Sequence, residues 1–262
     1  MNSRLATGAE ENTQLHTDRQ GKLSFRRIYR IWSLTNAGVV VGLVVLSEIA
    51  PVSPFALAAL TVWSGTAVAL LFLFGKQRHP DGSGPAIPNL LTTTRLIAAV
   101  LVLALTAADT VYPMVGRMVR SSVGWILVAA LLVVELTDFF DGRLARRMDS
   151  GGFGAVWDME NDVVYALALS LLLRHVHEVA IFVLLIGTMR FLYILLWHYE
   201  SEPTTVPRIY KLYAKTTAAL IATTLIVAVV PIVGPRLRTG ALAGILVMQM
   251  ISFGWDLVLQ RR

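Results

Sequence analysis

The sequence predicts an all-α integral membrane protein of about eight transmembrane helices, a six-helix core preceded by a two-helix hairpin. Three observations carry this. Hydrophobic residues make up 55% of the 262 positions and charged residues only 15%, whereas soluble domains carry about 25% charge. Apolar segments recur along the chain, each near the ~20 residues that cross the hydrocarbon of a bilayer. Basic residues gather on alternate connections, as they do when they set membrane orientation. The chain has no cysteine, which removes disulfides, thiolate metal sites and a cysteine nucleophile. Its net charge of +6 is spread over several loops and forms no single patch. Nucleic acid is therefore not an expected partner.

Residues 1–32 read as a polar tail followed by a basic amphipathic stretch. Glu10, Glu11 and Asp18 precede any apolar run, which argues against a signal peptide. In Lys22–Trp32, Phe25, Ile28, Tyr29 and Trp32 share a helical face, and Lys22, Arg26, Arg27 and Arg30 fall mainly on the other. That pattern predicts a short interfacial helix on anionic lipid, or an ordinary basic flank. Residues 33–74 form the hairpin, with spans at 33–50 and 54–74. Gly38 and Gly42 offer a small-residue face there, consistent with a homodimer contact. Residues 75–87, containing H-P-D-G-S-G-P, are the linker. The core occupies 88–260, with spans at 90–107, 121–141, 154–174, 178–198, 214–234 and 239–258. All ten prolines lie in connections or at segment ends, where they interrupt helices least.

With the N-terminus in the cytoplasm, sixteen basic residues fall on the cytoplasmic side and five on the far side. Arg95 and Arg190 fall inside spans. This predicts both termini and the acidic cluster described next on the cytoplasmic face of a prokaryotic inner membrane. Trp32, Trp125, Trp197 and Trp255 lie near span ends, as interfacial aromatics do.

The acidic cluster lies in D-F-F-D-G-R-L-A-R-R-M-D-S-G-G-F-G-A-V-W-D-M-E-N-D, residues 138–162. Asp138 and Asp141 are three apart and Asp158 and Asp162 four apart, so each pair projects from one helix face. A short connection joins the two helices, which predicts antiparallel neighbours. Four facing carboxylates in a poorly hydrated site repel, and one or two divalent cations resolve the conflict. All-oxygen donors suit Mg²⁺, Mn²⁺ or Ca²⁺. Gly142, Ala145 and Gly154 let a ligand approach the backbone, and Arg146 offers a two-pronged grip on a phosphate oxygen pair. Together these residues suit a nucleotide diphosphate held by its phosphates.

The run resembles the signature of the CDP-alcohol phosphotransferases, D-x2-D-G-x2-A-R-x8-G-x3-D-x3-D. Asp138, Asp141, Gly142, Ala145, Arg146, Gly154, Asp158 and Asp162 match it, with seven residues rather than eight between Arg146 and Gly154. The missing residue falls in a polar loop, where a deletion costs little. P-N-L-L-T-T-T-R is similar to the family's N-x2-T-x2-R element at Asn89, Thr92 and Arg95. The resemblance covers roughly 88–260 and leaves the hairpin outside, as an accessory to catalysis. It implies that an alcohol attacks the phosphorus of a CDP-linked donor, releases CMP and forms a phospholipid. It further implies that the four aspartates hold Mg²⁺ or Mn²⁺ as two ions and that Asp162 is the base. Asn89, Thr92, Arg95, Gly142, Ala145, Arg146 and Gly154 then line the CDP site. The donor expected is CDP-diacylglycerol. The absence of a D-P-x2-D-K run disfavours a glycerol-phosphate acceptor.

Other ionisable residues admit two readings each. Arg190, inside a span, binds a substrate phosphate or pairs with a carboxylate, and Lys215 is an acceptor-site cation or a positive-inside residue. Glu135, one turn before Asp138, supports the site or bonds a neighbouring helix, and Glu160 faces away from Asp158 and Asp162. Glu48 and Asp256, near span ends, are placed to reach headgroups. An intramembrane prenyltransferase and a carboxylate-based ion transporter are the competing classes. The first has no use for D-G-x2-A-R; the second often shows inverted repeats, and none is found here.

Overall fold

The computed structural model describes residues 27–49, 53–78, 87–148, 152–196 and 207–260. Residues 1–26 of the expected tail and basic helix at 1–32, most of the linker, and Trp197 lie outside the described residues, as do the side chains of 137–148. Among the described residues the regular structure is all helix: α1 Arg27–Ile49, α2 Ser53–Arg78, α3 Ile87–Val111, α4 Val115–Val119, α5 Gly124–Met148, α6 Gly152–Val176, α7 Val183–Leu196, α8 Arg208–Val229 and α9 Pro235–Gln260. The chain is thus an all-α membrane protein. Five helices, α1, α2, α3, α8 and α9, are long and apolar enough to cross a bilayer. The apolar stretches of α5 and α7, Gly124–Leu136 and Val183–Leu196, are shorter. In α5 and α6 the acidic and basic residues of the signature interrupt the hydrocarbon-matched run.

Two features differ from the sequence reading. The helix is continuous from Arg27 through Ile49, so Ile28, Tyr29 and Trp32 belong to the first long helix. No proline or glycine falls between Arg27 and Ala37 to break it. The five-residue helix α4 was not anticipated, because a single turn carries no usable periodicity. Its N-terminus is fixed by the Asp109 carboxylate, which accepts the Gly116 N–H at 2.9 Å.

Helix α6 is the hub. It packs against α2, α3, α4, α7 and α8. Leu167, Ala168, Leu169, Leu171, Leu172 and Leu173 are all buried, so this stretch is surrounded on every side. Contact with α7 is very close: a Cβ on Gly187 would lie 2.6 Å from the Leu167 Cα. Ile97, Leu101 and Leu105 on α3 face outward, with Ile126 and Val133 on α5. In lipid such residues form the natural outer surface. Gly38 and Gly42 also face outward, with open space where a Cβ would stand.

Polar clasps tie the helices together. Trp63 Nε1 on α2 donates to Asn36 Oδ1 on α1 at 2.9 Å. Arg174 on α6 donates to Glu48 on α1 at 3.1 Å. Asp256 on α9 accepts from Tyr210 at 3.0 Å and from Gln260 at 2.8 Å, and also from Tyr193. Glu48 and Asp256 therefore bond inward to protein groups, rather than to headgroups as their positions near span ends suggested. A carboxylate in an apolar medium gains more from a fixed donor than from intermittent contact with a lipid. Arg238 closes the α8–α9 turn through the carbonyls of Ala228 and Val230.

Candidate active site

Helices α3, α5 and α6 bring one arginine and three carboxylates together. Arg95 on α3 is buried, with a side chain 4% exposed. Its Nη1 pairs directly with Asp162 Oδ1. Asp158 Oδ1 lies 3.9 Å from the same nitrogen, and Glu135 Oε2 of α5 lies 3.9 Å from Nη2. Asp158 and Asp162 are about half exposed, and Glu135 is less so. The Arg95 guanidinium also sits 6.0 Å from the centroid of the Tyr165 ring, which limits its alternatives on that side. Tyr165 donates its hydroxyl to the Leu131 carbonyl at 3.3 Å, joining α6 to α5.

Local spacing explains why α6 can do this. Asp158, Asp162 and Tyr165 lie at intervals of four and three on one face. Trp157 and Glu160 lie on the other and are buried, and Asn161, buried too, lies between the two faces. Sequence spacing suggested α5 and α6 as facing neighbours. In the structure α3 packs against both, and its Arg95 bridges their carboxylates.

Of the residues singled out in the sequence, Thr92, Arg95, Asp158 and Asp162 are on α3 and α6, with Thr92 and Arg95 buried. Gly154 lies one turn before Asp158 on α6. Asp138, Asp141, Gly142, Ala145 and Arg146 fall on the C-terminal part of α5, and their side chains lie outside the described residues, as does that of Asn89 on α3. Arg190 on α7 donates to Glu160 at 2.7 Å, and Glu160 is 1% exposed. The buried charge on Glu160 is thus matched inside the protein. Lys215 is exposed on α8. Sequence reasoning missed Tyr29 of α1, which donates to Glu160 at 2.7 Å across 131 positions. Its only sequence signal was a tyrosine on the apolar face of a basic segment.

Among the described residues no group of three or more acidic, histidine or cysteine side chains is close enough to hold a metal ion. The donor chemistry nonetheless fits a hard cation. Three carboxylates share one guanidinium, so the described cluster is formally anionic, and every donor is oxygen. Asp138 and Asp141 would complete the set from α5. The described arrangement is an acidic, oxygen-donor cluster with two half-exposed carboxylates gathered around a buried guanidinium.

The family model described as CDP-alcohol phosphatidyltransferase matches residues 85–256. No curated protein and no solved structure matches the chain.

Proposed function

Because the chain belongs to the CDP-alcohol phosphatidyltransferase family, we propose that it moves a phosphatidyl group from CDP-diacylglycerol to an alcohol in phospholipid synthesis. The observation that carries this reading is the convergence of Asp158, Asp162 and Glu135 on Arg95, within the matched residues. Such a cluster gives an anionic, oxygen-only site at the end of a lipid-embedded bundle. A lipid donor explains why the site should open on the bilayer.

In the proposed reaction the acceptor hydroxyl oxygen attacks the phosphorus that carries the diacylglycerol. The new phosphodiester bond forms as the bond to the bridging oxygen of CMP breaks, and CMP leaves with that oxygen. The hydroxyl proton passes to the carboxylate of Asp162, since an alcohol of high pKa must lose it as the bond forms. Asp138, Asp141, Asp158 and Asp162 would hold Mg²⁺ or Mn²⁺. Bound there, the metal would neutralise the phosphate oxygens and polarise the phosphorus. Arg146 would orient the pyrophosphate by two parallel hydrogen bonds, and Gly142, Ala145 and Gly154 would leave room for the nucleotide. Asn89 and Thr92 would line the same pocket. Arg95 would hold Asp162 in place through their pair. Arg190 and Lys215 are the candidate cations for the acceptor side, with Arg190 reaching it only by sharing its charge with Glu160.

The test is CMP release by purified protein given CDP-diacylglycerol and a panel of alcohols, with and without Mg²⁺. Release that needs both an alcohol and the metal is the expected result. CMP release with no dependence on any alcohol, or none under any condition, would remove the reading.

A further inference from the structure

The hairpin α1–α2 precedes the residues matched to the family, yet it grips the helix that carries Asp158 and Asp162. Tyr29 on α1 donates its hydroxyl to Glu160 Oε1 at 2.7 Å. Arg190 on α7 donates to the same oxygen at 2.7 Å and reaches the Tyr29 hydroxyl at 3.3 Å. Phe72 on α2 packs its ring on Trp157, with centroids 4.8 Å apart and planes tilted by 53°. Trp157 and Glu160 are three residues apart on one face of α6, and both are buried. They interleave with Asp158 and Asp162, which point to the other side.

From this we propose that the hairpin is a positioning element for the catalytic carboxylates, and that Tyr29 and Phe72 set the rotation of α6 through Glu160 and Trp157. The inference rests on the reading of Asp158 and Asp162 as metal ligands. Close apolar packing restrains the rotation of α6 farther along its length, and directional bonds beside Asp158 and Asp162 fix the angle more narrowly there. Side-chain tips lie ~5–6 Å from the axis, so a turn of about 10° moves a carboxylate by about 1 Å. A displacement of that size degrades metal and substrate geometry severely. A buried carboxylate held by two donors from two different helices resists such a turn, since rotation would strip Glu160 of its partners. Phe72 on Trp157 adds a second point of restraint one turn away. Tyr29 and Phe72 are therefore positioning residues that never touch substrate.

The test uses the full chain in detergent, with Mn²⁺ binding followed by electron paramagnetic resonance and the thermal midpoint measured alongside. Tyr29→Phe keeps the ring and removes only the hydroxyl; Phe72→Leu keeps apolar volume and removes the ring contact. Outer-shell partners of metal ligands typically cost ~10–100-fold in affinity when lost. These residues act one step further out, so each variant should weaken Mn²⁺ binding by roughly threefold or more. The thermal midpoint should move only by the ~2–4 °C expected of one lost contact. Val45→Ala, on an outward face of α1, should leave Mn²⁺ binding unchanged. Mn²⁺ affinity equal to that of the unaltered chain in both Tyr29→Phe and Phe72→Leu overturns the positioning role and leaves the ligand assignment intact. Failure of the unaltered chain to bind Mn²⁺ overturns the ligand assignment and the positioning role with it.

Discussion

Arg95 carries one positive charge among Glu135, Asp158 and Asp162, so its removal exposes their mutual repulsion. Arg95→Gln should lower the thermal midpoint in the absence of divalent cation, and added Mn²⁺ should recover part of the loss. Breaking a fully buried pair costs roughly 3–5 kcal/mol, and half-exposed aspartates reduce that figure. An unchanged midpoint in metal-free buffer would show that Arg95 does not hold the cluster. Asp162 has a different test, since it is placed both to bind metal and to accept a proton. Asp162→Asn keeps the shape and one oxygen donor. If the base role dominates, turnover should fall by ~10²–10⁴ while CDP still binds with Mg²⁺. CDP affinity lost as completely as in Asp138→Asn would make Asp162 a ligand and send the search for a base to Glu135. The placement of Asp158 and Asp162 on one face of α6 was legible in the sequence because their spacing is local; the side chains of Asp138 and Asp141 lie outside the described residues. The role of Arg95 was not, because Asp162 lies 67 positions away and only the packing of α3 on α6 brings them together.

Helix α6 is where packing and chemistry meet. Its middle is enclosed by neighbours, and α7 approaches so closely at Gly187 that a methyl group has no room. Gly187→Ala should force the two helices apart, at the ~1–3 kcal/mol typical of overpacking, and lower the midpoint by several degrees. A midpoint within error of the unaltered chain would mean that α7 shifts freely. Beyond the end of α6, His177 donates Nε2–H to the Val229 carbonyl at 3.2 Å. Burial, helped by the charges of Arg238 and Arg120, lowers its pKa from 6.5 to about 4. The unfolded chain takes up a proton near pH 6.5 that the folded chain refuses until about pH 4. His177 therefore costs no stability above pH 6.5, and destabilises the fold progressively as pH falls through that window. His177→Gln should flatten the acid side of the midpoint-against-pH curve; the same slope in both proteins would assign it to the carboxylates. The long apolar helices were legible because a run of about 20 apolar residues needs no tertiary information. The continuity of α1 was less so, because Arg27 and Arg30 mimic the flank of a span while Tyr29 beside them turns inward to Glu160.

For the whole molecule, we propose an orientation from the distribution of charge. Basic residues outnumber their far-side counterparts sixteen to five when the N-terminus is placed in the cytoplasm. Three of the five arginines expected on the far side bond protein groups: Arg174 bonds Glu48, Arg120 bonds the Val176 carbonyl, and Arg238 bonds the carbonyls of Ala228 and Val230. With that threading the N-terminal end of α6, and so Asp158 and Asp162, would face the cytoplasm. A cysteine-free chain makes this directly measurable. In intact cells Ser121→Cys, on the exposed connection before α5, should react with a membrane-impermeant maleimide. Ser150→Cys, in the connection between α5 and α6, should react only after the membrane is opened. The reverse pattern would place the acidic cluster on the outer face, out of reach of a cytosolic nucleotide pool. It would also mean either that the charge count misleads and the whole chain is inverted, or that one of α1 and α2 does not cross, since removing one crossing inverts every later connection.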